Sequence, residues 1–221
     1  MKIITDLFTG EINIETDCIT ELIIENPNIM YRFINQLYNS INGEEEDLVL
    51  SNDNNILKTS KNIELVTTFI PFDINEKRLI TKINALLEKE AVNELHYYET
   101  MNLLASIEKY INYLSEVLPC NIDYSSINIS SLIKMCGVSI ADDSLSVIER
   151  IYNYMNLVRD LLGEKIFVFV NMHSFFINND IQSFVDTVTS HKFYTLLIDS
   201  NEYDNIKKVR RIIIDKDLCI I

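Results

Sequence analysis

The sequence predicts an α/β fold interrupted by a helical insertion, and three patterns predict it. Residues 166–200 read as strand, crossover helix and strand. Two long runs of helical periodicity fill the middle of the chain, between about residues 75 and 163. Short apolar runs of strand type occupy residues 1–74 and return at 212–214.

The first pattern is the most informative. Ile166-Phe-Val-Phe-Val170 is an unbroken run of β-branched and aromatic residues, as in a strand buried on both faces. Asn178-Asn179 supply a helix N-cap, and Ile181, Phe184, Val185 and Val188 share one helical face. Phe193 to Ile198 is a second buried strand. Two apolar strands joined by a helix make a parallel, right-handed βαβ unit.

Ahead of it, Met1–Phe8 and Gly10–Ile14 read as an edge hairpin, and Glu21-Leu-Ile-Ile24 as a strand. Residues 30, 33, 34 and 37 make the Ile29–Tyr38 stretch an amphipathic helix. Leu48-Val-Leu50 and Leu65–Ile70 are further strands, the second stopped by Pro71, which lacks the N–H a ladder needs. At Asp73-Ile-Asn75 the period changes. Asn75 is the expected N-cap of a helix with apolar Leu79, Ile80, Ile83, Leu86 and Leu87. Ala91 to Leu118 repeats apolar residues at three- and four-residue steps until Pro119. Continuous, these two runs would span about 65 Å at about 1.5 Å per residue. Asn128 opens a short helix ended by Gly137, and Asp142 or Asp143 a long one ended by Gly163. The predicted organisation is a discontinuous α/β head, residues 1–74 and 164–221, and an inserted α-helical leg, residues 75–163. An extended leg with a wide apolar face needs covering by another subunit, so an oligomer is expected.

Composition narrows the function. No run of about 18 apolar residues occurs, so no membrane span is expected. Met1-Lys-Ile-Ile-Thr-Asp6 places an acid where a signal peptide needs an apolar core. Cys18, Cys120, Cys136 and Cys219 are scattered with no CxxC pair, which fits reduced thiols and a cytoplasmic protein. Nucleotide hydrolysis is not expected. The four glycines are isolated, no GxxxxGK[ST] cradle exists, and the tip of the 166–170 strand carries Asn171 where magnesium would need a carboxylate. His96, His173 and His191 form no triad or HExxH motif. His173 sits where α/β sheets place ligands, but a solvated or capping role is the simpler expectation. Tyr97-Tyr98 and Tyr152–Tyr154 read as packing residues rather than base-stacking platforms.

The net charge of −14 is unevenly spread. Residues 1–75 hold 4 basic and 13 acidic groups, including Glu44-Glu45-Glu46-Asp47, whereas residues 161–221 hold 7 and 8. The acidic run reads as a solvated loop. Basic residues cluster in three places: Lys58 with Lys61; Lys77, Arg78, Lys82 and Lys89 along the first leg helix; and Lys207, Lys208, Arg210 and Arg211. Repeated around a symmetric oligomer, a few lysines per subunit would neutralise many phosphates despite the overall charge.

Several of these stretches resemble one family. Glu21-Leu-Ile-Ile-Glu25 leads into Gln36-Leu-Tyr38, Lys61 precedes Glu64-Leu-Val66, and Asp73-Ile-Asn75 opens the leg. Gly137-Val-Ser-Ile140 precedes the last leg helix, and Val168-Phe-Val-Asn171 follows it. In this order the chain resembles the small adaptation proteins of type II-A CRISPR systems. The resemblance implies a P-loop-like head with a degenerate nucleotide site and no enzymatic activity. It also implies a homotetrameric ring around double-stranded DNA ends, working with the CRISPR integrase complex and the effector nuclease in spacer acquisition. The expected DNA-binding set is Lys58, Lys61, Lys77, Arg78, Lys82 and Lys89; Lys61 is carried by the resemblance, the others by charge and placement. Family members often have a dense acidic stretch, associated with bound calcium, after the long leg helix. Here residues 116–126 offer only Glu116 and Asp123. The other reading is an inactive module that recruits protein partners without touching DNA.

Overall fold

The computed structural model describes residues 1–44, 48–53, 55–144, 146–204 and 206–221. Three residues of the acidic run, Glu45, Glu46 and Asp47, lie outside that set; Glu44 is exposed. The chain divides into two compact units, Met1–Phe72 with Ser144–Ile221 and Asp73–Asp143.

In the first unit, strands β1 (Lys2–Thr5) and β2 (Glu11–Asn13) form the expected hairpin, extended by β4 (Leu48–Asn52) and β5 (Asn55–Leu57) into an antiparallel sheet of order β2-β1-β4-β5. A second, parallel sheet contains β3 (Ile19–Ile24), β6 (Ile63–Val66), β7 (Ile166–Val170), β8 (Tyr194–Asp199) and β9 (Val209–Ile214), in the order β6-β7-β8-β3-β9. The first of its strands in the chain thus lies between the last two. Strand β6 ends at Val66, short of the expected Ile70, because Phe69 leaves the ladder and packs against Phe169, Phe175 and Phe176.

Helix α1 (Pro27–Asn42) follows β3 after two residues. Its Phe33 and Leu37 join Ile3, Ile12, Leu48 and Leu50 of the small sheet and Leu22, Ile24, Val168 and Leu196 of the large one in one core cluster. The side chain of Asn26 accepts from the N–H groups of Asn28 and Ile29, and Pro27 supplies a preset φ at the helix start. Asn26→Ala should therefore cost about 1 kcal/mol, read as a lower urea midpoint at unchanged m-value.

Because side chains alternate along a strand, the other face of the large sheet carries Ile19, Glu21, Phe167, Phe169, Leu197 and Asp199. Helices α6 (Val147–Leu162) and α7 (Asn178–Ser190) belong to that face. Phe184 meets Phe169 edge-on at 5.4 Å, and Tyr152 meets Phe193 at 6.2 Å. The βαβ unit β7–α7–β8 is parallel as expected. Helix α6 was expected to belong to the leg, with a boundary at 163. It lies in the first unit, and the boundary falls at 143. Its apolar side explains why: Ile151, Tyr154, Met155 and Val158 are buried, and the Tyr154 hydroxyl donates to Glu64 Oε1 of β6 at 2.9 Å. Its cap is Ser146 rather than Asp142 or Asp143.

The second unit holds α3 (Lys77–Ala91), α4 (Tyr97–Ser115) and α5 (Ile129–Met135). The two long helical runs are not continuous. Asn93 breaks them, its side chain accepting from the N–H groups of Leu95 and His96 in a tight turn. Thr100 at the start of α4 then reaches back to the Ala91 carbonyl at 2.7 Å. Asn75 does not cap α3, since Glu76 holds that position. Its amide instead bridges to the backbone of Ile140, accepting from N and donating to O. Helix α5 is capped by Asn128, as expected, and ties to α3 through Ser130 and Glu88 at 2.7 Å.

Candidate functional site

The expected DNA-binding residues fall in both units. Lys58 sits at the N-cap of α2 (Thr59–Asn62) and Lys61 in its last turn; both are exposed. Lys77, Arg78, Lys82 and Lys89 all lie on α3 and all are exposed. Arg78 is engaged, its Nε 2.7 Å from Glu76. None of Lys58, Lys61, Lys77, Lys82 and Lys89 pairs with a carboxylate among the described residues. That is a notable outcome in a chain where acidic groups outnumber basic ones 33 to 19.

The C-terminal basic run differs. Lys208 pairs with Asp186 at 2.9 Å, Arg210 with Glu15 at 2.8 Å and Arg211 with Glu21 at 2.5 Å. Three of its four cations are thus already held by carboxylates of this chain. Of the tyrosines, Tyr154 is buried in the packing role expected, whereas Tyr98 is 80% exposed on α4.

Glu116 and Asp123 are both exposed, Glu116 at the C-cap of α4 and Asp123 in the segment that follows. Neither belongs to a group of three ligand-type side chains among the described residues. Calcium takes about six to eight oxygen ligands, so two separate surface carboxylates do not fit such an ion.

A polar cluster that sequence reasoning did not assemble lies on the face of the large sheet that carries α6 and α7, around β3, β8, β9 and the turn after β7. Glu21 of β3, Arg211 of β9 and Asp199 of β8 project to the same side of the sheet; Glu21 and Arg211 are register partners. Past β7 the chain turns at Asn171, whose φ of 57° is one that asparagine tolerates, with its N–H on the Ile198 carbonyl at 2.8 Å. A 3-10 turn, Met172–Ser174, then aims His173 inward. His173 is buried, not solvated, and its Nε2 lies 2.9 Å from Glu21 Oε1. Its ring stacks on Tyr203 with centroids 4.3 Å apart.

The electrostatics follow from burial and pairing. Burial pushes the Glu21 carboxyl up, but hydrogen bonds from His173 and Arg211 outweigh it and hold the group below the usual carboxylate range. Asp199 has no side-chain donor, and only the backbone N–H of His173 favours its charged form, without a well-formed hydrogen bond to either oxygen. Desolvation therefore pushes it up to about 7, against the attraction of His173 and with the repulsion of Glu21. The position of His173 after a buried strand was the one sequence signal for this cluster. Glu21 gave none, because it stands within an apolar run.

Comparison with known proteins places this fold. Residues 38–218 match the family described as CRISPR-associated protein (Cas_Csn2). A CRISPR-associated protein Csn2 from Streptococcus agalactiae is 23% identical over 204 residues, covering 91% of this chain and 90% of that protein. The fold is similar to the crystal structure of Stu0660 of Streptococcus thermophilus, with a TM-score of 0.58 at 13% identity, over 97% of this chain and 75% of that one. The family match spans most of the chain, takes in β6 to β9 and every helix from α2 to α7, and agrees with the order of motifs read from the sequence. The chain belongs to the Csn2 family, the adaptation proteins of type II-A CRISPR systems.

Proposed function

We propose that this chain is a non-enzymatic, ring-forming protein that holds linear double-stranded DNA without reading its sequence and supports spacer acquisition in antiviral defence. It acts in the cytoplasm as a homotetramer, alongside the CRISPR integrase complex and the effector nuclease. The observation that carries this reading is the set of five exposed lysines left unpaired on α2 and α3 of a strongly acidic chain. Free ammonium groups amid surplus carboxylates point to an anion supplied from outside, and phosphate contacts of this kind are indifferent to sequence. The leg supports assembly: Leu95, Tyr98, Tyr113, Val117 and Met135 are all exposed, and α5 buries none of its residues.

The head is P-loop-like with a degenerate nucleotide site. The connection from β3 to α1 is only Glu25-Asn26, and the Asn26 side chain occupies the first free N–H groups of the helix, which a nucleotide phosphate would otherwise take. Calcium has no step in this reading. No helix among the described residues is long and apolar enough to cross a membrane.

Sizing combined with a gel-shift assay tests the proposal. A species of four 25.7 kDa chains should shift linear duplex and leave closed-circular duplex of the same sequence unshifted. A monomer that ignores both would sink it. An oligomer that ignores both while retaining the integrase proteins would favour the protein-recruiting module instead.

A further inference from the structure

The DNA-binding reading makes no use of the loop between β8 and β9. Its second half lies along α7: Asn178 Nδ2 donates to Asp204 Oδ2 at 3.0 Å, the Lys207 N–H donates to Gln182 Oε1 at 2.8 Å, and Lys208 pairs with Asp186 at 2.9 Å. Residues 178, 182 and 186 follow one another at single turns of the helix, so this half is anchored along one helical face. The first half, residues 200–203, is held more loosely. The Tyr203 ring stacks on His173, and Glu202 lies 3.7 Å from Arg211 in a pair that Glu202 keeps half in solvent, where such a pair is worth little. Asn201 and Glu202 are exposed, and Ser200 and Tyr203 are only half-buried.

That loose half leaves the sheet at Asp199, the last residue of β8, which is fully buried. No side-chain donor reaches its carboxylate, and only the backbone N–H of His173 favours the charged form by hydrogen bonding. Of the charged groups acting on it, Glu21 of β3 repels a second negative charge and His173, in its positive form, attracts one; no group of α6 or α7 is among them. Arg211 of β9 is already engaged by Glu21 at 2.5 Å. A carboxyl group in such surroundings keeps its proton until water reaches it. The ladders to β3 and β7 hold β8 in place on both sides, so residues 200–203 are the part that can give way. We propose that residues 200–203 form a pH-operated strap. It is closed over the buried cluster while Asp199 keeps its proton, and open, with Tyr203 lifted off His173, once Asp199 has released that proton to solvent. The direction follows from linkage. In the closed strap the Asp199 carboxyl is pushed up to about 7, and hydration in the open one returns it toward the ordinary 3.8. Opening therefore becomes easier by up to about tenfold per pH unit between about 4 and about 7, and is level on either side.

The test uses the full chain. It contains no tryptophan, so Tyr203→Trp places a single indole on His173. Between about pH 5.5 and about pH 8 the opening constant should rise about 30-fold. The indole should accordingly be shielded from acrylamide at the lower pH and quenched freely at the higher, while far-UV circular dichroism stays constant. Adding Asp199→Asn should leave the indole shielded at both. NMR of the unsubstituted chain gives a reading that depends on no variant: Overhauser contacts between the His173 and Tyr203 rings should be present at pH 5.5 and lost at pH 8. An indole equally accessible at the two pH values, a rise that survives Asp199→Asn, or ring contacts that persist at pH 8 would each overturn the assignment.

Discussion

A chain carrying Lys61→Glu, Lys82→Glu and Lys89→Glu should lose affinity for every linear duplex alike, whatever its sequence. If all three lysines meet phosphates, the plot of log affinity against log salt should flatten by about 0.9 for each contact removed, or about 2.7 per subunit that touches DNA. Reversing the charge adds repulsion, so the loss at low salt should exceed that of the corresponding alanine variants. The three side chains are exposed and pair with no carboxylate among the described residues, so each can be changed without breaking an ion pair there. Sizing must accompany the binding curves, since only an intact oligomer isolates the electrostatic effect. Unchanged binding would refute the assigned surface. The C-terminal basic run is a poor substitute, because Lys208, Arg210 and Arg211 already answer Asp186, Glu15 and Glu21.

The buried Asp199 should make stability fall as pH rises from about 4 to about 7. Its carboxyl is pushed up to about 7 in the folded chain, against an ordinary value of 3.8. Across that window the unfolded chain has released the proton and the folded chain keeps it, so folding becomes less favourable with each step in pH. The full difference corresponds to up to about 4 kcal/mol at about 1.4 kcal/mol per pH unit. Asp199→Asn should remove that slope and be the more stable protein at pH 8. Glu21 acts in the opposite sense. Its lowered pKa contributes stability that is present above its ordinary value of 4.5 and is lost as pH falls below it. Urea unfolding at pH 5 and pH 8, with and without the substitution, separates the two groups. Equal slopes in wild type and variant would show that Asp199 stays ionised at both pH values.

What the sequence made legible is what rests on local composition and periodicity, less so capping, since Asn75, Asp142 or Asp143 and Asn178-Asn179 do not hold the cap positions expected of them. Strand β7 could be read from its short unbroken run of β-branched and aromatic residues, and helix α1 from its helical repeat of apolar side chains. Asn128 was legible as a cap because its side chain can accept from the first free N–H groups of a helix, as it does from Ser131. The leg boundary was not, because α6 has the same helical period whether it joins one unit or the other; the deciding contact is Tyr154 with Glu64, 90 residues away. The break at Asn93 was also hidden, since the apolar spacing continues across the turn. Of the six proposed DNA-binding residues, Lys61 was carried by the family resemblance and the other five by charge and placement; all six are exposed. Apart from the position of His173, the Glu21, His173, Asp199 and Arg211 cluster was hidden for a different reason. Its members come from three strands and the turn after a fourth, and meet only through the register of a parallel sheet.

That sheet has a consequence for synthesis of the chain on the ribosome. Strand β3 is complete once residue 24 is made, yet both of its neighbours, β8 and β9, lie beyond residue 193. Strand β6 likewise waits for β7, about a hundred residues downstream. The small antiparallel sheet has all its strands within the first 57 residues and can pair early, whereas Ile19-Thr-Glu-Leu-Ile-Ile24 emerges as a bare, largely apolar strand with no partner until nearly the whole chain is out. Such long delays in pairing slow folding and leave strand edges open to other nascent chains. A charged residue at the centre of that strand, Glu21, is thus present throughout translation to oppose wrongful pairing, long before Arg211 arrives to neutralise it.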